Sequence, residues 1–403
     1  MTSNTDLATA ARNALPDALK VALADARART LKGFDAWAAA LPTLAVPQHD
    51  ELNPPLWELG HVGWFQEWWT TRNPQCAHGA AADPNVARAA PILPGADALY
   101  DSGRVSQATR WSLPLPDAAA TRAYLAQSLD ATLALLAATQ AMAKVDDTSL
   151  YFYRLCLFHE DMHNEAARYM GYTLGVPMPG VRPLRACKEG VIHLGGALHR
   201  LGWPGPGFAF DNELRGQDVE VPTCEIDASP VSNARFAAFV DAGGYTNAAY
   251  WSQPGRAWLA GTGRKAPRFL RRHGAGWQHQ WFGEWVELDA QAPAMNLTYF
   301  EAEAWCAWAG RRLPSEAQWE HAALSTPDFQ WGDVWEWSAD AFRPYPGFTP
   351  HPYRDYSAPW FDTRRLLKGA SIATDARMRH PRYRNFYTPE RDDIFAGFRS
   401  CSQ

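Results

Sequence analysis

At 403 residues the chain is too long for one ordinary hydrophobic core, and two or three domains are expected. Hydrophobic residues make up 47% and charged residues 20%, as in a soluble globular protein, and the net charge of −5 excludes the broad basic stripe of a nucleic-acid binder. No apolar run reaches the length of a membrane span, and the opening MTSNTDLATAARNALPDALK lacks the basic flank and apolar stretch of a secretory signal. The expected protein is cytoplasmic, with neither nucleic acid nor membrane as a partner.

The six cysteines are scattered and form no CxxC pair. They read as buried free thiols, not as a disulfide framework or zinc ribbon. Of 19 tryptophans, thirteen lie after residue 186, so the two parts of the chain differ in kind.

In chain order, the alanine- and leucine-rich stretch 5–41 has apolar positions at helical spacing. After a double proline, LNPPLWELGHVGWFQEWWTTR (52–72) reads as a second helix, since proline is tolerated in a first turn. Residues 73–115 are rich in Pro, Gly and Asp and read as irregular, 117–143 as a long helix, and 149–174 as another. Four long helices with one lengthy connection predict a bundle over 1–178. GVPMPGVRP then reads as a linker. From 179 to 403 short β-like pieces (VIHLGGAL, FAFDNE, VEVPTCEID) alternate with turns, and two helices are expected at 232–243 and 298–310. The fold class is α+β, with a loop-rich second domain held by aromatic packing.

The chemistry centres on LFHEDMHNEA (157–166). Residues four apart on a helix share a face, so His159 and His163 can point at one object. His61, in LGHVGWFQEWW, sits on a second helix among Leu59, Trp64, Phe65 and Trp68, where an unpaired buried imidazole would be costly. Three histidines from two bundle helices would hold a metal with positions left open, as in catalytic and not structural sites. Imidazole suits divalent iron, zinc, copper or nickel alike. Glu160 and Asp161 fall on other faces, as acceptors for a ligand N–H or as solvated groups, and Glu165 is ambiguous.

The motifs L-G-H-V-x-W-F, H-E-x-M-H-x-E and R-N-F-x-x-P-E-R-x-D-x-F-x-G-F-R occur here in that order, with DVWEWSADAFRPYPGFTPHPYRDYS and LLKGAS between the last two. On these residues the chain resembles the ergothioneine-biosynthesis sulfoxide synthases across nearly its whole length. That resemblance implies a DinB-like four-helix bundle followed by a domain of the formylglycine-generating-enzyme (C-type-lectin-like) fold. It further implies a non-heme Fe(II) site made by His61, His159 and His163, with dioxygen as co-substrate and attack at the imidazole C2 of hercynine. Tyr353 is the match for the family's tyrosine beside the iron, with Tyr356 as its neighbour, and Asn385 and Phe386 match the residues that hold the betaine.

Two departures concern the donor. Family members that take cysteine or γ-glutamylcysteine hold its carboxylates with a G-x-R-H-x-R arrangement. Here LYDSGRVSQATRWSLPLP (99–116) offers Arg104 and Arg110 in another pattern. Tyr387 follows R-N-F where that group often has Asp. Both features fit a donor without amino-acid termini, and H-E-D-M-H-x-E-A with Y-D-S-x-R-V-x-x-x-T-R-W resembles the selenoneine synthase branch, which uses a selenosugar. The sulfoxide synthase with a thiol donor is the alternative. A DinB-like metal-dependent thiol transferase would use the same histidines but lacks the R-N-F…G-F-R domain. A copper formylglycine-generating enzyme would need paired late cysteines, and Cys401 stands alone. A lectin-like binding module would leave the three histidines without purpose.

Overall fold

A computed structural model describes residues 4–140 and 145–403. The N-terminal half contains α1 (Asn4–Arg12), α2 (Pro16–Ala40), α3 (Pro55–Trp69), the short α4 (Ala96–Tyr100), α5 (Ala118–Gln140) and α6 (Asp147–Leu174). The stretch expected as one N-terminal helix is thus broken after Arg12, where Pro16 starts a new first turn. The helix expected over 117–143 is seen to Gln140, and its last three positions lie outside the described residues.

Helices α2, α3, α5 and α6 pack as the four-helix bundle. α3 begins at Pro55, whose missing N–H costs nothing in a first turn. α6 starts on a capping box in which Asp146 and Ser149 satisfy each other's backbone N–H. It ends at Gly175, whose φ of 74° is the left-handed cap conformation that other residues resist. Eighteen of the residues of α6 are buried, because the helix faces bundle partners on one side and the second domain on the other.

The C-terminal half holds β1 (Val191–Leu194), β2 (Ala197–Arg200), β3 (Asp218–Val221), β4 (Cys224–Asp227), α7 (Asn233–Asp241), α8 (Gln253–Thr262), β5 (Leu270–His273), β6 (Gly276–Trp281), β7 (Glu284–Glu287), α9 (Tyr299–Trp308), α10 (Glu316–Ser325), β8 (Trp335–Ala341), β9 (Arg365–Gly369), β10 (Asn385–Tyr387) and β11 (Ala396–Gly397). β1 pairs antiparallel with β4 and β2 with β3; β5–β6–β7 form a meander. The largest sheet runs β10–β9–β8–β11, with β11 parallel to β8. FAFDNE, expected to be strand-like, is instead coil running into a 3₁₀ turn at Asp211–Glu213. The turn forms because Glu213 is drawn back to the Phe210 backbone N–H at 2.8 Å and is also held by Arg12.

One apolar core continues from the bundle into the second domain, with Phe158 stacked on Phe208 at 5.2 Å. Polar ties run along α6. Trp335 Nε1 donates to Glu165 at 2.8 Å, Tyr383 donates to the Met162 sulfur at 3.4 Å, and Arg377 grips both Asp161 oxygens with one guanidinium edge, Nε and Nη2. α6 is therefore both the helix of the His159–His163 pair and the joint between domains. Among the described residues no helix is long and apolar enough to cross a membrane.

Candidate metal centre

α3 and α6 bring His61, His159 and His163 together. One ring nitrogen from each lies within 4.8 Å of the other two. The Nε2 atoms of His159 and His163 are 3.2 Å apart, and the His61 ring centroid is 5.2 and 4.9 Å from theirs. His61 lies nearly parallel to Trp57 at 4.7 Å, and His159 stacks on Phe65 at 3.5 Å. These flat contacts fix both rings about their Cβ–Cγ bonds.

Two of the three remaining ring nitrogens meet acceptors. His61 Nδ1 meets the Tyr100 carbonyl at 2.8 Å, and a carbonyl can only accept. His163 Nδ1 meets Glu58 Oε2 at 2.5 Å. Each contact puts the proton on Nδ1 and leaves the Nε2 lone pair for the shared centre. Such outer partners orient metal-binding imidazoles and raise their basicity. Gly60 makes the first contact possible: a Cβ there would lie 2.2 Å from the Tyr100 ring, so only glycine lets the end of α4 approach.

Electrostatics favour the ligating form. Burial, reinforced by the neighbouring His163, pushes His61 down to about 3, and burial with both neighbours holds His159 well below the ordinary imidazole value. Both rings are neutral at pH 7, as metal binding requires. Burial alone would raise the Glu58 carboxyl, but His163 beside it, with His61 and Arg110, brings it to about 2. With the His61 and His159 rings neutral and His163 turned by Glu58, the three convergent imidazoles fit a divalent transition metal.

Glu58 was not among the expected site residues, although it lies three before His61 and so shares its helix face. It continues into a chain of contacts. Asn53 Nδ2 donates to Glu58 Oε1 at 2.7 Å, Arg110 Nη1 donates to Asn53 Oδ1 at 2.8 Å, and the Arg110 guanidinium lies 3.7 Å over the Trp57 ring. Arg110 thus stands behind the histidines. Arg104 is 77% exposed and pairs with Asp101 at 3.2 Å, outside the cluster. Glu160 and Asp161 are neither acceptors for the histidines nor solvated. Both are buried, Glu160 on Arg27 and Asp161 on Arg377. Glu165 accepts from Trp335, Ser371 and Thr374.

The Tyr353 ring is 4.9 Å from Phe65 and 6.2 Å from His159. Burial, with Asp355 and Asp101 nearby, raises its phenol well above the ordinary value, so it keeps its proton at neutral pH. Tyr356 is engaged with Tyr383 at 3.0 Å and stacks on Phe210 at 4.3 Å. On β10, Phe386 stacks on Phe342 at 4.0 Å, and the Asn385 side chain accepts from the Phe386 N–H at 2.9 Å. Tyr387 interacts with Tyr169 on α6, and the Arg391 guanidinium lies 5.1 Å from its ring. A cleft lined by Trp64, Trp68, Asp101, Ser102 and Asp355 opens beside Tyr353 and Phe65.

Comparison with known proteins agrees with this architecture. Residues 22–167 match the DinB superfamily, and residues 181–332 and 327–403 match the sulfatase-modifying factor enzyme 1-like domain. A formylglycine-generating enzyme of Streptomyces coelicolor is 32% identical over 39% of this chain and 54% of its own length. Hercynine oxygenase of Mycolicibacterium thermoresistibile is 31% identical over 94% of this chain and 93% of its own. Hercynine oxygenase of Mycobacterium tuberculosis is 32% identical over 95% of this chain and 98% of its own. With both domains matched in order and a relative aligned almost end to end, the chain belongs to the hercynine oxygenase family of ergothioneine-type sulfoxide synthases.

Proposed function

We propose that this protein is a non-heme Fe(II), dioxygen-dependent enzyme that forms a carbon–chalcogen bond at the imidazole C2 of hercynine, with a selenosugar as donor. The observation that carries the reading is the convergence of three imidazoles beside a protonated phenol. Its place in a family whose relatives are named hercynine oxygenases supports the substrate. The domains are divided as 1–178, which holds the metal, and 179–403, which carries Tyr353 and the substrate contacts. In the net reaction the C2–H and chalcogen–H hydrogens leave as water with one oxygen atom of dioxygen, and the other stays on the chalcogen.

His61, His159 and His163 would hold the iron, and Glu58 and the Tyr100 carbonyl orient two of the rings. Iron(II) supplies redox chemistry with dioxygen and a Lewis acid that favours the donor's selenolate or thiolate. Tyr353 keeps its hydroxyl hydrogen at neutral pH and donates it during oxygen reduction. Asn385, Phe386 and Tyr387 form the betaine side, where aromatic faces attract a quaternary ammonium.

The donor assignment draws on the two arginines of 99–116. Arg110 gives Nη1 to Asn53 and lies over Trp57, and the exposed Arg104 pairs with Asp101 outside the histidine cluster, so the two do not converge as a clamp for a donor carboxylate. Tyr387, paired with Tyr169, offers no charge for a donor ammonium. A thiol donor, cysteine or γ-glutamylcysteine, is the second reading, favoured by the end-to-end similarity to the mycobacterial enzymes. The deciding experiment offers hercynine under air with a selenosugar, a thiosugar, cysteine or γ-glutamylcysteine and identifies products by mass. Efficient use of γ-glutamylcysteine with no use of the selenosugar reverses the donor assignment. Full iron occupancy in the alanine variant of any one of the three histidines refutes the metal assignment.

A further inference from the structure

Tyr353 sits in the middle of the long connection between β8 and β9, residues 342–364. Its only regular structure is two three-residue 3₁₀ turns, Arg354–Tyr356 and Ala358–Trp360. A long irregular segment does not hold one side chain in place by its own backbone hydrogen bonds. Something outside it must set the phenol against the histidines.

Asp211 touches the segment on both sides of Tyr353. It is only 3% exposed. Its Oδ2 accepts the backbone N–H of His351 at 3.3 Å, two residues before Tyr353, and its Oδ1 accepts the Ser357 hydroxyl at 2.5 Å, four residues after. Asn212 Nδ2 donates to the same Ser357 oxygen at 3.0 Å. From the bundle, the Tyr151 hydroxyl meets His351 Nδ1 at 2.9 Å. Tyr151 lies on α6, eight residues before His159. The helix that carries two of the histidines therefore also grips one shoulder of the Tyr353 segment.

The partners of the Asp211 carboxylate are neutral donors. Burying a carboxylate on neutral donors is expensive and makes poor sense as a stabilising device. It does fix two points of a loop at once. Catalytic groups misplaced by about 1 Å can lose two orders of magnitude in rate.

We infer that Asp211, backed by Tyr151, is a positioning residue that holds Tyr353 at the histidine cluster. This rests on the role proposed above for Tyr353. The test uses the full-length, iron-loaded enzyme with hercynine and whichever donor the wild type turns over. Asp211→Asn keeps the shape but sets an amide N–H against one of the two donors. It is expected to lower kcat about 10-fold with KM for hercynine unchanged within about twofold. In a Tyr353→Phe background the same substitution is expected to cost less than about twofold, because the group it positions is gone. If Asp211→Asn does not fold, Ser357→Ala removes one of the two clasps and should show a smaller loss with the same disappearance in the Tyr353→Phe background. An equal fold-loss in both backgrounds overturns the inference, as does full activity of Asp211→Asn while Tyr353→Phe is slow. Full activity of Tyr353→Phe instead overturns the reading of Tyr353, and this inference with it.

Discussion

Glu58→Gln tests whether the outer partners of the histidines matter for metal binding. The substitution keeps the side chain's length but removes its charge. In the native protein Oε2 faces His163 Nδ1 at 2.5 Å and Oε1 faces Asn53 Nδ2 at 2.7 Å, so both oxygens accept. A glutamine has one acceptor and one donor. Its NH₂ must oppose either the His163 N–H or the Asn53 amide, and Asn53 cannot turn over without losing Arg110 from its oxygen. Loss of such an outer partner costs a metal site 10- to 100-fold in affinity, about 1.4 to 2.7 kcal/mol. Competition against a calibrated chelator under anaerobic conditions measures the iron(II) affinity of both proteins. Iron affinity within about twofold of wild type would show that the Glu58–His163 contact does not orient a ligand, and the site argument would lose its second layer.

Three other expectations follow from the same contacts. Gly60→Ala drives a methyl into the Tyr100 ring, at 2.2 Å in the unrelaxed geometry, and should cost about 1 to 3 kcal/mol in urea unfolding while lowering iron content; unchanged stability and iron content would disprove the close-approach argument. Arg377→Met strands Asp161, which is fully buried and held by two guanidinium bonds, and should cost about 3 to 5 kcal/mol, part of it recovered by adding Asp161→Asn; a loss under about 1 kcal/mol would contradict the buried-pair assignment. His380 is pushed down to about 2 by burial and by the charges of Arg12, Lys368 and Arg382. With the folded value depressed, its contribution is intact above the unfolded value near 6.5 and fades as pH falls below it, so wild type should lose about 2 kcal/mol more than His380→Asn between pH 7 and pH 5. Parallel stability curves for the two proteins would sink that assignment.

Local pattern was enough for the bundle and for the histidine face it carries. The 3.6-residue period placed 149–174 on a helix, and the four-residue step put His159 and His163 on one face. The apolar run around His61 marked a buried imidazole in need of a partner. Much of the second domain was not legible as regular structure. β8 and β9 carry Glu336 and Lys368 fully buried in their midst, so no two-residue alternation shows. Glu336 lies against Arg399, and Lys368 against Glu320, partners tens of residues away. The acidic residues make the same point: Glu160 and Asp161 look like solvent-facing neighbours of a motif until Arg27 and Arg377 arrive from other elements. Helical period and residue chemistry are properties of a few consecutive side chains, so the sequence by itself determined which faces exist and what they could bind. Which Arg meets which carboxylate, which Glu turns His163, and where residues 342–364 set down Tyr353 depend on elements from one hundred to more than two hundred residues apart, and only their packing together decided those.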